Sequence, residues 1–263
     1  MRRAERDARE TASRAARRQE TSVALNVIMM GPPGAGKGTQ AGRFARERGL
    51  LQISTGDILR DGIKAQLPVA LKAKELIDRG ELVDDATMIA IVRDRLMRSD
   101  AQPGFVLDGF PRTVAQAEML DRIVAERNNG PLVIVDLRVP ARELVRRLAS
   151  RLICAKCGTT ADQAKEGGAA LTACARCGGK LVQRTDDNEQ VVRERLKVYE
   201  RATKPLVEFY RGRPTFRIVN GAQSPERVGH ELDTVIDDAA SVGAKQGTPA
   251  PLKAVASGKA AQA

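Results

Sequence analysis

Leu25-Asn-Val-Ile-Met-Met-Gly-Pro-Pro-Gly-Ala-Gly-Lys-Gly-Thr39 decides the fold. A short run that is apolar at every position but Asn26 leads into a glycine-rich loop, then into a helical pattern over Gln40–Arg48 closed by Gly49. Such a run reads as a strand buried on both faces, the habit of a parallel sheet covered by helices. Gly31 opens a tight turn, and Gly34, Gly36 and Gly38 let the backbone wrap an anion, with Ala35 between them. The helix starting near Lys37 adds its positive end, and Lys37 itself a full charge. Read alone, the stretch is a nucleoside triphosphate loop. It departs from the general pattern in one respect: Gly38 stands where Ser or Thr is expected, and the hydroxyl comes one place later at Thr39.

Working outward, Leu51-Gln-Ile53, Gly104–Leu107, Leu132–Asp136 and Phe216–Val219 read as further core strands. Helical patterns fall between them at Thr87–Arg98, Arg142–Arg151 and Glu189–Tyr210. The expectation is an α/β fold, a parallel five-stranded sheet with helices on both faces. The block Leu152–Thr185 breaks this rhythm and holds too few large apolar residues to fold without a staple. Its staple is legible. Cys154-x-x-Cys157 and Cys174-x-x-Cys177 lie sixteen residues apart, with Gly158 and Gly178 after each pair. That spacing fits a tetrathiolate zinc site, and four thiolates leave no open position for chemistry, so the metal is expected to be structural. Disulfides are the alternative, disfavoured by the reducing interior expected of a chain without a secretory signal.

Hydrophobic content of 42% with 29% charged residues suits a soluble globular chain, and no apolar run is long enough for a membrane span. The net charge of +11 raises nucleic acid as a partner, but its distribution argues otherwise. Residues 1–22 carry seven Arg against four acids, and residues 241–263 three Lys and no acid. With aromatics at 3% and no Trp, base-stacking platforms are poorly supported. Residues 1–24 and 241–263 are expected to be disordered, flanking a domain at 25–240. Glu5, Asp7, Glu10 and Glu20 argue against a transit peptide. The first segment is expected to be dispensable, with Val23 or Leu25 as a candidate start of translation.

A third motif, Asp108-Gly-Phe-Pro-Arg-Thr113, joins the phosphate loop and the cysteine pairs. Together, in this order, they resemble the bacterial adenylate kinases of the zinc-bearing type, from about Leu25 to about Ala239. The Gly-Lys-Gly-Thr form of the loop is the one that family carries. The resemblance implies reversible Mg²⁺-dependent phosphoryl transfer, ATP + AMP giving two ADP, in a cytoplasmic monomer with no nucleic-acid or membrane partner. It implies an ATP site of Gly34, Ala35, Gly36, Lys37, Gly38, Thr39, Arg147, Arg151, Thr160 and Gln223. The implied AMP site is Thr55, Arg60, Glu81, Leu82, Val83, Gly109, Arg112, Gln116, Arg184 and Arg195, with the helical insert at 54–83 and with Gln116 reading the adenine edge. The catalytic set is Lys37, Asp108, Arg112, Arg147, Arg151, Arg184 and Arg195. The cysteine block, 150–187, becomes a lid over ATP, hinged near Ser150 and Asp186-Asp187. Where family members carry an aromatic residue after the second Cys, this chain has Thr159-Thr160-Ala161.

Elementary chemistry supports the arginine set. Two polyphosphates brought into contact need compensating cations, and forked guanidinium donors match phosphate oxygens. Asp108, at the end of a core strand, stands where α/β sheets bind ligands and is best placed for Mg²⁺, with Asp57 as a second carboxylate. A phosphate oxygen needs no general base, and His230 reads as a surface residue. The alternatives are a kinase for another nucleoside monophosphate (UMP, CMP or GMP) and a zinc-ribbon nucleic-acid-binding protein.

Overall fold

The structure, a computed structural model, describes residues 24–162 and 172–246. The expectations for residues 1–23 and 247–263, and for 163–171 within the cysteine block, lie outside the described residues. At the centre of the main sheet runs β1 (Leu25–Met30), flanked by β3 (Gly104–Asp108) and β4 (Leu132–Arg138). The edges are β2 (Leu51–Ser54) and β8 (Phe216–Asn220), and all five strands are parallel. Alternation along β1 feeds two separate cores. Val27 and Met29 pack with Phe44, Leu232 and Ile236, from α1 (Lys37–Arg48) and α9 (Pro225–Gln246). Ile28 and Met30 pack with Val92, Leu120 and Leu206, from α4 (Asp85–Leu96), α5 (Val114–Arg127) and α8 (Pro205–Arg211). Burial on both faces is why the strands read as continuous apolar runs rather than alternating ones.

Two inserts leave this frame. Between β2 and α4 stand α2 (Thr55–Lys64) and α3 (Pro68–Arg79). After α6 (Ala141–Ala149) comes an antiparallel sheet of β5 (Arg151–Cys154), β6 (Thr160–Asp162) and β7 (Leu181–Val182), ordered β6-β5-β7. Among the described residues, its apolar contacts are those of Leu152, Ala161, Leu181 and the cysteines. Among the described residues, no helix is long and apolar enough to cross a membrane.

Several boundaries differ from the sequence reading. The helix expected over Arg142–Arg151 ends at Ala149, so Arg151 opens β5 and the like-charge pairing of Arg147 and Arg151 on one helix face does not arise. The helix expected over Glu189–Tyr210 is interrupted. It runs as α7 (Glu189–Val198), a π turn (Tyr199–Thr203) and α8. Pro205 lacks an N–H and its ring crowds the carbonyl four residues back, so the helix widens ahead of it and Lys204 N–H donates to Tyr199 O at 2.8 Å. Finally, α9 continues to Gln246, past the expected end at residue 240, because its buried stripe of Leu232, Ile236 and Ala239 extends to Gly243, which is seated on Pro131 and Thr215. At the other end Ala24, expected in the extension, is buried and donates its N–H to Asn129 O at 2.9 Å.

A buried ion pair ties the turn after α8 to α5. Arg213 Nη1 donates to Asp121 Oδ1 at 3.0 Å and Nη2 donates to Oδ2, with both side chains about 95% buried (5% and 4% exposed). The guanidinium lies over the Tyr210 ring at 4.6 Å. Asp121→Ala leaves that cation buried without its partner and should lower stability by about 3–5 kcal/mol in urea titration. The double variant Asp121→Leu/Arg213→Leu, which removes both charges, should lose much less.

Candidate active site

The phosphate loop bridges β1 and α1. Gly36 caps α1 with φ 93°, and Gly34 has φ 85°, left-handed values that aim successive N–H groups at one point. Lys37 Nζ folds back over the loop, donating to Gly31 O at 2.8 Å and Pro32 O at 2.9 Å. A Cβ on Gly38 would lie 3.0 Å from Asp108 Oδ2. This gives the departure from the general loop a physical reason: a Ser or Thr at 38 would press on the carboxylate standing at the end of β3.

The opposite wall is built by the insert and by the turn after β3. Gly109, φ 80°, would meet Thr55 Oγ1 at 2.9 Å and Arg112 Nη2 at 3.0 Å if it carried a Cβ. Its carbonyl accepts from Thr55 Oγ1 at 2.9 Å and from Arg112 Nε at 2.8 Å, which swings the Arg112 fork toward the loop. Thr203, on the π turn, donates to Arg112 O at 3.0 Å, a buttress that the uninterrupted helix of the sequence reading would have missed. Gln116 is buried; its Oε1 accepts from Arg112 N at 2.8 Å and its Nε2 donates to Asp85 Oδ1 at 2.7 Å.

The third side is the base of the cysteine sheet. Asp187, with no exposed side-chain surface, accepts from Arg151 Nε at 2.7 Å and from Arg195 Nη1 at 3.1 Å. Asp186 accepts from Arg195 through both its carbonyl and its carboxylate at 3.0 Å. The sequence reading placed these two acids at a hinge and overlooked them as the counter-ions of the arginines. Arg147 binds Glu143 at 2.8 Å and Gly221 O at 2.9 Å, and Gln223 reaches Glu231 at 2.6 Å. Glu143, held by Arg146 and then by Arg147, is pulled down to about 2. Its spacing from those two arginines along α6 was readable as helical pairs.

These parts enclose one cleft of 1180 Å³. Lining it are Gly34, Ala35, Gly36, Lys37, Gly38 and Thr39 from the loop, and Thr55, Arg60, Glu81, Leu82 and Val83 from the insert. Asp108, Gly109, Arg112, Gln116, Arg147, Arg151, Thr160, Arg184, Arg195 and Gln223 complete the wall, so every nucleotide-site residue expected from the sequence comes together here. Asp57 also lines the cleft but is engaged by Arg60; burial alone would raise its pKa, and the Arg60 contact holds it below the usual range. Its partner among the described residues is Arg60. His230, the chain's one histidine, is exposed on α9 as expected.

Electrostatically, the cleft holds too much positive charge for its own acids. Lys37 is lowered to about 8, first by burial, with Arg112, Arg195 and Arg151 adding to the effect and Asp108 opposing it. Arg112 is lowered to about 10, by the protein packed around it and then by Arg195. Arg184 is also lowered to about 10, by burial and then by Arg151 and Arg60, and its buried Nε has no hydrogen-bond partner among the described residues. Asp108 moves the other way, raised by burial against the pull of Lys37 and Arg112. Cations made costly first by burial and then by neighbouring guanidinium groups mark a site shaped for a polyanion.

Next to the cleft, the four cysteine Sγ atoms lie within 4.8 Å of one another. Cys154 and Cys177 Sγ are 3.5 Å apart, and Cys157 and Cys174 Sγ 3.7 Å. A tetrahedron with Zn–S near 2.3 Å has edges of about 3.8 Å, whereas a disulfide needs about 2.05 Å. The thiols are free, and Gly158 and Gly178 take left-handed φ values of 70° and 67° at the knuckles. Cys157 N–H also points at Cys154 Sγ, 3.4 Å away. The donor set fits zinc.

Comparison with known proteins gives these parts a family. The adenylate kinase family model matches residues 29–214. An adenylate kinase from Archaeoglobus fulgidus is 43% identical over 213 residues, covering 81% of this chain and 98% of the relative. One from a Geobacillus species is 48% identical over 204 residues, 78% of this chain and 94% of the relative. A third, from Carboxydothermus hydrogenoformans, is 44% identical over 204 residues, with 78% and 95% covered. On the match to the family model and on relatives of this identity spanning nearly their whole length, the chain belongs to the adenylate kinase family.

Proposed function

We propose that the chain catalyses the reversible transfer of the terminal phosphoryl group of ATP to AMP, giving two ADP, in the cytoplasm and as a monomer. Family membership supports the reaction. The observation that carries it to this cleft is the convergence of Lys37, Arg112, Arg151, Arg184 and Arg195 on one space, with Lys37, Arg112, Arg184 and Arg195 pushed down in pKa by burial first and by neighbouring guanidinium groups after it. One bound polyphosphate would relieve part of that repulsion, and two facing each other would use all of it.

In this reading the loop N–H groups, Lys37 and Thr39 hold the ATP phosphates, while Gln223 and its loop, clamped to α6 through Arg147, hold the donor base. Arg60 and Arg112 hold the AMP phosphate against Thr55 and Gly109, and the acceptor base enters the apolar slot of Leu59, Val83 and Met88, where Gln116 supplies the amide. Arg151, Arg184 and Arg195 face the charge that develops between the two phosphates. The attacking oxygen is already anionic, so no side-chain base is needed, and positioning and charge stabilisation carry the catalysis. Mg²⁺, when bound with ATP, neutralises the oxygens of the transferring group, and Asp108 is the residue that would hold it. Thr160 borders the ATP side of the cleft without the stacking surface of an aromatic ring.

With ATP as donor, AMP should be phosphorylated far faster than UMP, CMP or GMP, and Lys37→Met should lower turnover by about two orders of magnitude or more while the fold persists. Coupled assay of the four monophosphates side by side, with circular dichroism on the variant, checks both. Equal rates on AMP and UMP would refute the adenine assignment.

The lowered pKa of Lys37 sets a pH dependence. A bound phosphate favours the charged amine and raises its pKa, so ATP binding should take up protons as the pH passes above about 8, and affinity should fall there as the free protein loses this charge. Calorimetry in buffers of different ionisation enthalpy measures the uptake. It should be small one unit below that pH, and Lys37→Met should abolish it.

Zinc on Cys154, Cys157, Cys174 and Cys177 should contribute folding energy to a sheet with little apolar packing of its own. Cys154→Ser should reduce the zinc content of freshly purified, reduced protein and lower the thermal midpoint. Metal analysis and calorimetry on wild type and variant test this, and a zinc-free wild type would overturn it.

A further inference from the structure

An amide side chain keeps its shape when turned end for end but exchanges its chemistry, presenting N–H where C=O had been. For a residue that reads a base, that half-turn decides which base it reads. Adenine offers a ring nitrogen that accepts and an exocyclic amine that donates. A 6-oxopurine offers the reverse, a ring N–H that donates and an oxygen that accepts. A glutamine free to turn over would serve either one.

Gln116 is not free to turn over. Its Oε1 receives the Arg112 backbone N–H at 2.8 Å, a group that only donates. Its Nε2 donates to Asp85 Oδ1 at 2.7 Å, a carboxylate oxygen that only accepts. Turned over, the side chain would set N–H against N–H at one end and oxygen against oxygen at the other. Asp85 is fixed in its turn, since its Oδ2 accepts from Thr113 Oγ1 at 3.0 Å while Thr113 Oγ1 accepts from Gln116 N–H at 3.2 Å. Asp85 also opens α4, where the helix N-terminus favours negative charge. With these bonds made, Gln116 keeps one N–H and one oxygen lone pair, the complement of adenine and the mismatch of a 6-oxopurine. Around it, Leu59, Ile77, Val83 and Met88 line an apolar end of the cleft with little else to discriminate purines.

We propose that Asp85 is a specificity-determining positioning residue: by fixing the orientation of the Gln116 amide, it makes the acceptor site select adenine over 6-oxopurine monophosphates without itself touching the base. This rests on the reading of Gln116 as the residue facing the acceptor base. Asp85→Asn is nearly isosteric and keeps a partner for Thr113, but it removes the obligate acceptor: an asparagine can turn over together with Gln116, leaving the Arg112 N–H as the one group of this network that opposes the turned amide.

The test compares AMP with IMP, which shares the ring and lacks the additional amine of GMP. The AMP:IMP ratio of kcat/KM and of dissociation constants is measured for wild type, Asp85→Asn, Asp85→Ala, Gln116→Leu and the double variant Asp85→Asn/Gln116→Leu. Thermal midpoints establish that each is folded. Both Asp85 variants should lower the ratio at least about tenfold, the worth of one matched buried hydrogen bond, chiefly through KM for IMP. In the Gln116→Leu background, Asp85→Asn should leave the ratio unmoved. A purely structural role for Asp85 would weaken both acceptors together, and a wild-type ratio in the Asp85 variants alongside a lost one in Gln116→Leu overturns the proposal. A wild-type ratio in Gln116→Leu overturns the reading of Gln116 itself.

Discussion

The crowding of cations into one cleft is the constraint on which the rest of this structure depends. Loss of water contact lowers Lys37, Arg112, Arg184 and Arg195 first, and neighbouring guanidinium groups add to it: Arg112, Arg195 and Arg151 at Lys37, Arg195 and Arg60 at Arg112, and Arg151 and Arg60 at Arg184 and Arg195. Left to themselves such side chains would turn outward to solvent. They are kept in place by bonds to groups that cannot move: Lys37 by carbonyls of its own loop, Arg112 by Gly109 O, and Arg151 and Arg195 by Asp187, which has no exposed side-chain surface. The anchors come from the ends of β1 and β3 and from the start of α7, elements fixed by the two apolar cores. The cores matter to function because they hold charge where it is unfavourable.

Asp186 and Asp187 have a double position in this scheme. They compensate part of the positive charge, yet they lie at the foot of the cysteine sheet, where one acid is shared by Arg151 on β5 and Arg195 on α7. On the proposed reading of the site, a phosphate arriving in the cleft would compete with these carboxylates for the same guanidinium groups. Nucleotide binding and the attachment of the cysteine sheet to the core would then be linked through shared donors, each arginine having a limited fork to divide between them. Gly80, at the end of α3, adds a steric side to the linkage: a Cβ there would press on the Arg195 stem at 2.8 Å, so the acceptor insert also abuts this arginine.

How much of this was legible depended on how narrowly the chemistry restricts residue type. The phosphate loop was legible because converging backbone N–H groups demand glycines at set intervals, and the cysteine pairs because four thiolates on one ion demand that spacing. The β1 and β4 strands were legible as doubly buried runs. Other features left weaker traces. The strands of the cysteine sheet are two to four residues long and owe little to apolar alternation, so no periodicity announced them. The π turn was hidden because the apolar positions of Glu189–Tyr210 keep a helical spacing, and only Pro205 signals that the hydrogen-bond ladder must change there. Asp85 was invisible for a different reason. An acid at the start of a helix has a sufficient local explanation in the helix dipole, and nothing in the chain indicates that its oxygens face a glutamine thirty-one residues away.

The cysteine sheet follows another rule of stability from the core beneath it. The core closes on dozens of buried aliphatic and aromatic side chains, and its loss would be cooperative with loss of the whole sheet. Among the described residues, Leu152, Ala161 and Leu181 pack around the cysteines, too little surface to offset the entropy of ordering them. A tetrathiolate ion on the four cysteines would supply that free energy at one point without adding an apolar face. An apolar face large enough to do the same would have to be covered, either by the core, which would fix the segment in one position, or by solvent, which would invite association. Stapling by a metal would need no such face, and among the described residues the segment meets the core through α6, the Thr185–Asp187 turn and the arginine–aspartate bonds. On the proposed reading of the site, such a segment is locally rigid while its docking is decided by the same charged groups that would receive the phosphates.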